Sequence, residues 1–426
     1  MKLKLNGNGQ IKLGAIMSYI TILFNVIAGL IYTPWMVKQI GQADYGLFIL
    51  ATTLISFFAM DFGLGAAVSR FLAKYKALND SLGAQRFLGI AYKLFLIIAV
   101  IIFIILAFVY FLIENIYLEL NVHEVEKLKV IFLMAGLFIV ISFPCKPFDG
   151  ILIANERFVI IKSADLLNKV LTVFLMVAAL LLGYGLYAIV VINSLVGLFI
   201  ILLKYIYIKR ATNTMIDFSY RGKELYKEIF GFSVWTTIIV VAQRFILNIT
   251  PTILAALVGS VHVALFAVGM TIEGYIWTIS SALGGLFLPK VTRMILNNKD
   301  NQHIEDLLIK VGRIQLFIVG LIIIGFITMG YEFMQLWMGE PFRDSYYIAL
   351  LLISTGLITL TQEIAYTALV AMNEIRYRAI ATIIVAVISV ILSLILSRIY
   401  GAIGAAAAIF IGNFAGLVIY MNVVYH

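Results

Sequence analysis

Eight charged residues fall inside apolar stretches of this chain: Asp61, Lys146, Asp149, Asp165, Lys169, Arg244, Glu273 and Glu363. A charge at the centre of a bilayer costs about 2.5 to 3.5 kcal/mol on insertion scales unless it meets a partner or a wet cavity, so each needs a reason. Arg244 sits mid-stretch in VVAQRFILNITP beside Gln243, with Asn248 one turn on. Its permanently charged fork suits phosphate oxygens, or it is the buried partner of Glu273 or Glu363. Lys146 and Asp149 are three apart, beside Pro144 and Pro147, where missing amides open a helix and expose carbonyls. They read equally as an ion pair at a kink and as ligand-binding groups. Asp165 and Lys169, four apart, read as a structural helix pair first and a ligand site second. Asp61, Glu273 and Glu363 are candidate protonation sites, because burial raises a carboxyl pKa, or counter-ions of Arg244.

The elements carrying these residues are membrane helices. Hydrophobic residues make up 63% of the chain and charged residues 12%, with a mean hydropathy of +1.06. A soluble domain carries roughly 25% charged residues. Apolar runs of about 20 residues, the length a bilayer requires, recur about twelve times between positions 13 and 424. The reading is an all-α polytopic membrane protein with an amino-terminal six-helix lobe over 1–207, a linker over 208–230 and a carboxy-terminal six-helix lobe over 231–426. Within the linker, RGKELYKEIFGF reads as an interfacial helix.

An internal duplication supports the two lobes. Asn155 and Glu156 return as Asn373 and Glu374, and the same offset of 218 residues sets Gly41 over Gly259 and Phe48 over Phe266. Pro34 falls within one residue of Pro251, and after a small slip Tyr184 and Gly185 fall on Tyr400 and Gly401. An even number of spans per repeat makes the repeats parallel. Placing both termini in the cytoplasm sends 23 of the 31 Lys and Arg residues inside and leaves Lys38, Lys127, Lys129, Arg343 and Arg398 outside. The net charge of +9 is thus a topology signal rather than a nucleic-acid footprint.

Other chemistry finds no support in the residues. The single cysteine, Cys145, excludes an intrachain disulfide, and four scattered histidines form no metal cluster. No phosphate loop, zinc-protease or nucleophile-elbow motif occurs, so transport energy is expected from a gradient. Gly404, Ala408, Gly412 and Gly416 step by four along the last span and form a smooth packing stripe.

The segment TPWMVKQIGQADYGLFILATTLISFFAMDFGLGAAVSRFLAKY carries Pro34, the Gly41, Tyr45, Gly46 and Phe48 cluster, and a Gly63 to Arg70 stretch followed by Lys74 and Tyr75. With the Asn155, Glu156, Arg157 turn and the paired halves, it resembles the polysaccharide-transporter branch of the multidrug/oligosaccharidyl-lipid/polysaccharide (MOP) exporter superfamily, typified by Wzx-type O-antigen flippases. The resemblance implies a MATE-like, V-shaped, two-lobe fold in a bacterial inner membrane. It implies a flippase for undecaprenyl-pyrophosphate-linked oligosaccharides that binds membrane lipids and engages a polymerase or assembly proteins. Arg244, Lys146 and, third, Lys169 take the pyrophosphate role; Asp61, Glu273 and Glu363 take proton or sodium coupling, with no other cofactor. The alternatives are a multidrug or small-solute cation antiporter of the same superfamily, expected to have acidic cavities, and a major-facilitator permease, whose loop pattern is missing from ALNDSLGAQRF. A membrane-embedded polymerase or ligase is disfavoured because no outer loop exceeds about 20 residues.

Overall fold

The computed structural model describes residues 7–58, 60, 64–212, 216–220, 241–246, 248–284, 291, 294, 301–372, 374 and 376–425. Asp61, Asn373 and the segment RGKELYKEIFGF lie outside the described residues. The described secondary structure is all helical. Among the described residues, nine helices are long and apolar enough to cross a membrane, or ten when the bent pair Glu340–Thr359 and Glu363–Leu369 counts as one span. The longest of them, Arg376–Val424, is two spans: at Gly401 the backbone turns through φ 57° and ψ −134°, and the chain returns antiparallel to itself. In this return Gly404 meets Leu396, Gly412 meets Ser389 and Gly416 meets Ala381, so the small-residue stripe is the hairpin interface.

The chain forms two compact units. The first comprises 1–41, 58–116 and 122–237, and the second comprises 42–57, 117–121 and 238–426. In the first unit lie α1 (Gly7–Ile40), α3 (Leu64–Ala77), α4 (Ser81–Ile116), α5 (Val122–Ser142), α6 (Pro147–Ala154), α7 (Phe158–Leu181) and α8 (Leu186–Ala211). Helix α1 packs on α7, α3 on α6, and α5 and α7 on α8. In the interior of this unit, buried Phe71 and Phe87 form one ring pair and buried Phe95 and Phe143 another. The opposite face of α4 exposes Ile104, Phe108 and Phe111, the last by 74%. Water would not tolerate so continuous an apolar face, whereas lipid does.

The second unit holds α2 (Gln42–Phe58), α9 (Ile249–Val258), α10 (Ser260–Gly284), α11 (Asn301–Met338), α12 (Ser345–Ser354), α13 (Glu363–Ala371) and α14 (Arg376–Asn413). Helix α2 thus packs with the carboxy-terminal helices, although its sequence position is within 1–207. The reason is visible at Gly46, where a Cβ would lie 2.0 Å from the Ser260 carbonyl oxygen; only glycine admits that approach.

The duplication has a backbone signature. Gly41 and Gly259 share left-handed φ angles of 88° and 89°, and Gly183 and Gly401, also 218 residues apart, have φ of 83° and 57°. Gly185, one residue before α8, has ψ −148°, close to the −134° of Gly401, so the turn before the last span of each repeat shares features with both glycines. The fourth span breaks at matching places in both repeats: at the 3-10 turn Phe143–Cys145 in the first, and between Thr359 and Glu363 in the second, where the axis bends by 61°.

Candidate functional site

Pro144 and Pro147 supply no amide to the helix, so α5 ends and a 3-10 turn intervenes before α6. This break turns Cys145 and Lys146 into a cavity of about 500 Å3 within the first unit. Its other polar walls are Thr21 and Asn25 of α1, Ser142 of α5, Asp149 of α6, Asp165, Asn168 and Lys169 of α7, and Lys204 of α8. Lys146 and Lys169 thus line one space, as do Asp149 and Asp165. The Lys146 ammonium lies 5.3 Å from the Phe143 ring centroid, a cation–π contact.

The ion pairs differ from those the sequence offered. Asp149 accepts a hydrogen bond from Lys204, 55 residues away, at 2.7 Å. Asp165 pairs with Lys162 at 3.7 Å and with Lys204 at 3.9 Å. The expected helix pair Asp165 and Lys169 is replaced by these, which leaves Lys169 facing the cavity with Asn168. Lys204, one of the basic residues that the positive-inside count places on the inner side, has a side chain only 11% exposed. Three lysines against two aspartates give this cavity a net positive charge.

The second unit holds a cavity of about 290 Å3 lined by Gln243, Glu273, Trp277, Arg378, Thr382 and Asn413 among apolar side chains. Gln243 is the repeat counterpart of Asn25 in the first cavity, at the offset of 218. Asn413 and Leu417, both lining residues, flank the start of a π-helical turn over Phe414–Tyr420, which widens the last span where the cavity needs room. Arg378 stacks on Tyr366 at 4.9 Å and acts electrostatically on Glu363 in the first turn of α13.

Arg244 stands apart from both cavities. It is half-buried, its carbonyl accepts from the Asn248 amide, and Asn248 in turn donates to Ser56 at 2.9 Å. Among the described residues no carboxylate forms an ion pair with Arg244, so its reading as the partner of Glu273 or Glu363 gives way to Arg378 as the cation near Glu363. Sequence reasoning missed Arg378 and Lys204 because both lie near span ends, where basic residues also report topology.

Residues 12–287 match the family described as Polysaccharide biosynthesis protein. The chain belongs to this family. Its fold is that of the MOP exporters. It superposes with a TM-score of 0.77 on an inward-facing multidrug resistance MATE family transporter, at 18% identity over 94% of this chain and 93% of that one. For the lipid II flippase MurJ in an inward closed conformation the values are 0.72, 16%, 97% and 87%. A MOP superfamily transporter from Pyrococcus furiosus, described as having a binding pocket of reverse polarity, gives 0.65, 16%, 99% and 95%. At such identities these likenesses establish the fold. Comparison with curated protein sequences gave no match. The family member is a multi-pass membrane protein of all-α MOP fold.

Proposed function

We propose that this protein is a flippase that moves undecaprenyl-pyrophosphate-linked oligosaccharide repeat units, for O-antigen, capsule or exopolysaccharide, from the cytoplasmic to the periplasmic leaflet of a bacterial inner membrane. The observation that carries the reading is the positively charged cavity of the first unit, with Lys146, Lys169 and Lys204 among Asn25, Ser142 and Asn168. Ammonium groups attract a diphosphate strongly where water is scarce, and the amides and hydroxyls add hydrogen bonds that a sugar-phosphate accepts. A cavity built for organic cations would carry the opposite excess. Arg244, in the second unit and outside that cavity, is a separate candidate for an anionic group.

Both termini lie in the cytoplasm in this proposal, and the two repeats alternate access while the polyprenyl tail stays in lipid. Asp61, Glu273 and Glu363 are the candidates for coupling to protons or sodium. A polymerase or other assembly proteins would receive the exported unit. The protein transports and does not catalyse.

Deleting the gene in its host and restoring it with wild type or Lys146→Ala tests the reading. The expected result is loss of surface glycan with full-length lipid-linked units retained on the inner leaflet. Lys146→Ala should restore less than a tenth of the glycan at normal membrane abundance, since a hydrogen bond to a charged group is worth about 1.5 to 3 kcal/mol. Intact glycan with raised sensitivity to toxic organic cations would establish the antiporter reading instead.

A further inference from the structure

The cavity of the first unit contains its own competitor for an anionic ligand. Lys204 on α8 is shared by Asp149 of α6 at 2.7 Å and Asp165 of α7 at 3.9 Å, so two carboxylates compete for its charge with any anion that enters. The two sides of this arrangement are unequally buried. The Lys204 side chain is 11% exposed, against 51% for Asp149 and 42% for Asp165. Losing its partner would therefore cost Lys204 more than it would cost either carboxylate. Asp149 has water to turn to, and Asp165 has Lys162 at 3.7 Å. Both carboxylates have somewhere to go, and the ammonium does not.

We infer that Lys204 is a third phosphate-binding group of this cavity, held by Asp149 and Asp165 until a diphosphate displaces them. This rests on the flippase reading above, since it requires a phosphate head group to enter beside Lys146 and Lys169. On entry the ligand takes Lys204 from the carboxylates, which move to water and to Lys162. On exit the carboxylates reclaim Lys204 and oppose rebinding, so the cavity both binds and releases a multiply charged anion. A cavity of lysines alone would bind such a head group and hold it. The pairing also ties α6, α7 and α8 together, so ligand entry loosens one set of inter-helix bonds as it forms another.

The test uses the full-length protein purified in detergent and titrated calorimetrically with inorganic pyrophosphate, with glucuronate as a carboxylate control. Asp149→Asn removes the competitor and should tighten pyrophosphate binding about fivefold, the range of a pair with one exposed partner. Lys204→Gln should weaken binding, and Lys204→Arg should retain it. In the Lys204→Gln background Asp149→Asn should lose its tightening effect, a coupling that a merely structural pair would not produce. Asp165→Asn, which should tighten binding by a smaller factor, serves as the second variant should Asp149→Asn unfold. Unchanged or weaker binding in the folded Asp149→Asn protein, while Lys146→Gln still weakens pyrophosphate, would overturn the inference and leave the flippase reading standing. No pyrophosphate binding by wild type, or glucuronate bound equally well with Lys146→Gln indifferent, would remove the phosphate assignment and this inference with it.

Discussion

Replacing Gly404 by alanine places a methyl group 2.1 Å from the Leu396 carbonyl oxygen and 2.5 Å from its carbon. Both obstacles are backbone, so no rotamer change relieves them. Ordinary contact begins at 3.4 Å, and the two arms of the α14 hairpin must separate by about 1.3 Å to reach it. Overpacking of this kind costs about 1 to 3 kcal/mol, and the parted arms also lose van der Waals contact along Gly412 and Gly416. Gly325, on α11, is the control because nothing lies within 4 Å of its added methyl. Alanine there should be neutral or slightly stabilising, since it is the better helix former by about 1 kcal/mol. The assay is the thermal unfolding midpoint of each purified variant in detergent. The hairpin also carries Arg378, Thr382 and Asn413 into the second cavity, so Gly404→Ala should lower export as well as stability. Equal midpoints for Gly404→Ala and Gly325→Ala would refute the close-packed antiparallel hairpin.

Two further outcomes follow from the same geometry. Asp217, after α8, forms a turn with Ser219 against Gln85 and Gly89 of α4, and the Ser219 hydroxyl and amide hold its carboxylate below its ordinary value of 3.8, with help from Arg86. A depressed carboxylate stabilises above its unfolded pKa and loses that contribution only as pH falls through the depressed value, so protection of the Ser219 amide from deuterium exchange should be the same at pH 7 and pH 5 once intrinsic rates are corrected; loss of protection at pH 5 would contradict the turn. Glu273→Gln or Glu363→Gln should abolish stimulation of export by a proton or sodium gradient while leaving exchange without a gradient, measured in proteoliposomes; undiminished stimulation in both variants would remove these carboxylates from the coupling role.

Much of the fold was legible because its signals are local. Apolar runs gave the spans, and the repeat match of glycine at 41 and 259 proves to be a shared left-handed turn. The fourth-span break was legible in the first repeat from Pro144 and Pro147. In the second repeat there is no proline at the break; Thr359 and Thr361 hydrogen-bond back to the carbonyls of Thr355 and Ile358, a competition with the helix that sequence reveals poorly. Charge pairing was the least legible layer. Lys162 and Lys169 lie three before and four after Asp165, spacings that are equivalent on a helix; Lys162 takes the pair, and the packing of α8 brings in Lys204. Asp149 finds Lys204 across 55 residues, a distance at which a single sequence carries no pairing signal.

The chain's single cysteine allows the central claim, a cavity that attracts anions, to be tested without engineering. Cys145 is half-buried and lines the first cavity beside Lys146. Two methanethiosulfonate reagents of similar size, one carrying a sulfonate and one a trimethylammonium group, should be compared by their reaction rates at Cys145, each normalised to its rate with a free thiol. A cavity that attracts anions should react faster with the anionic reagent, show a reduced preference in Lys146→Gln and Lys169→Gln, and be protected by pyrophosphate. Faster reaction with the cationic reagent, and no protection by pyrophosphate, would contradict that claim.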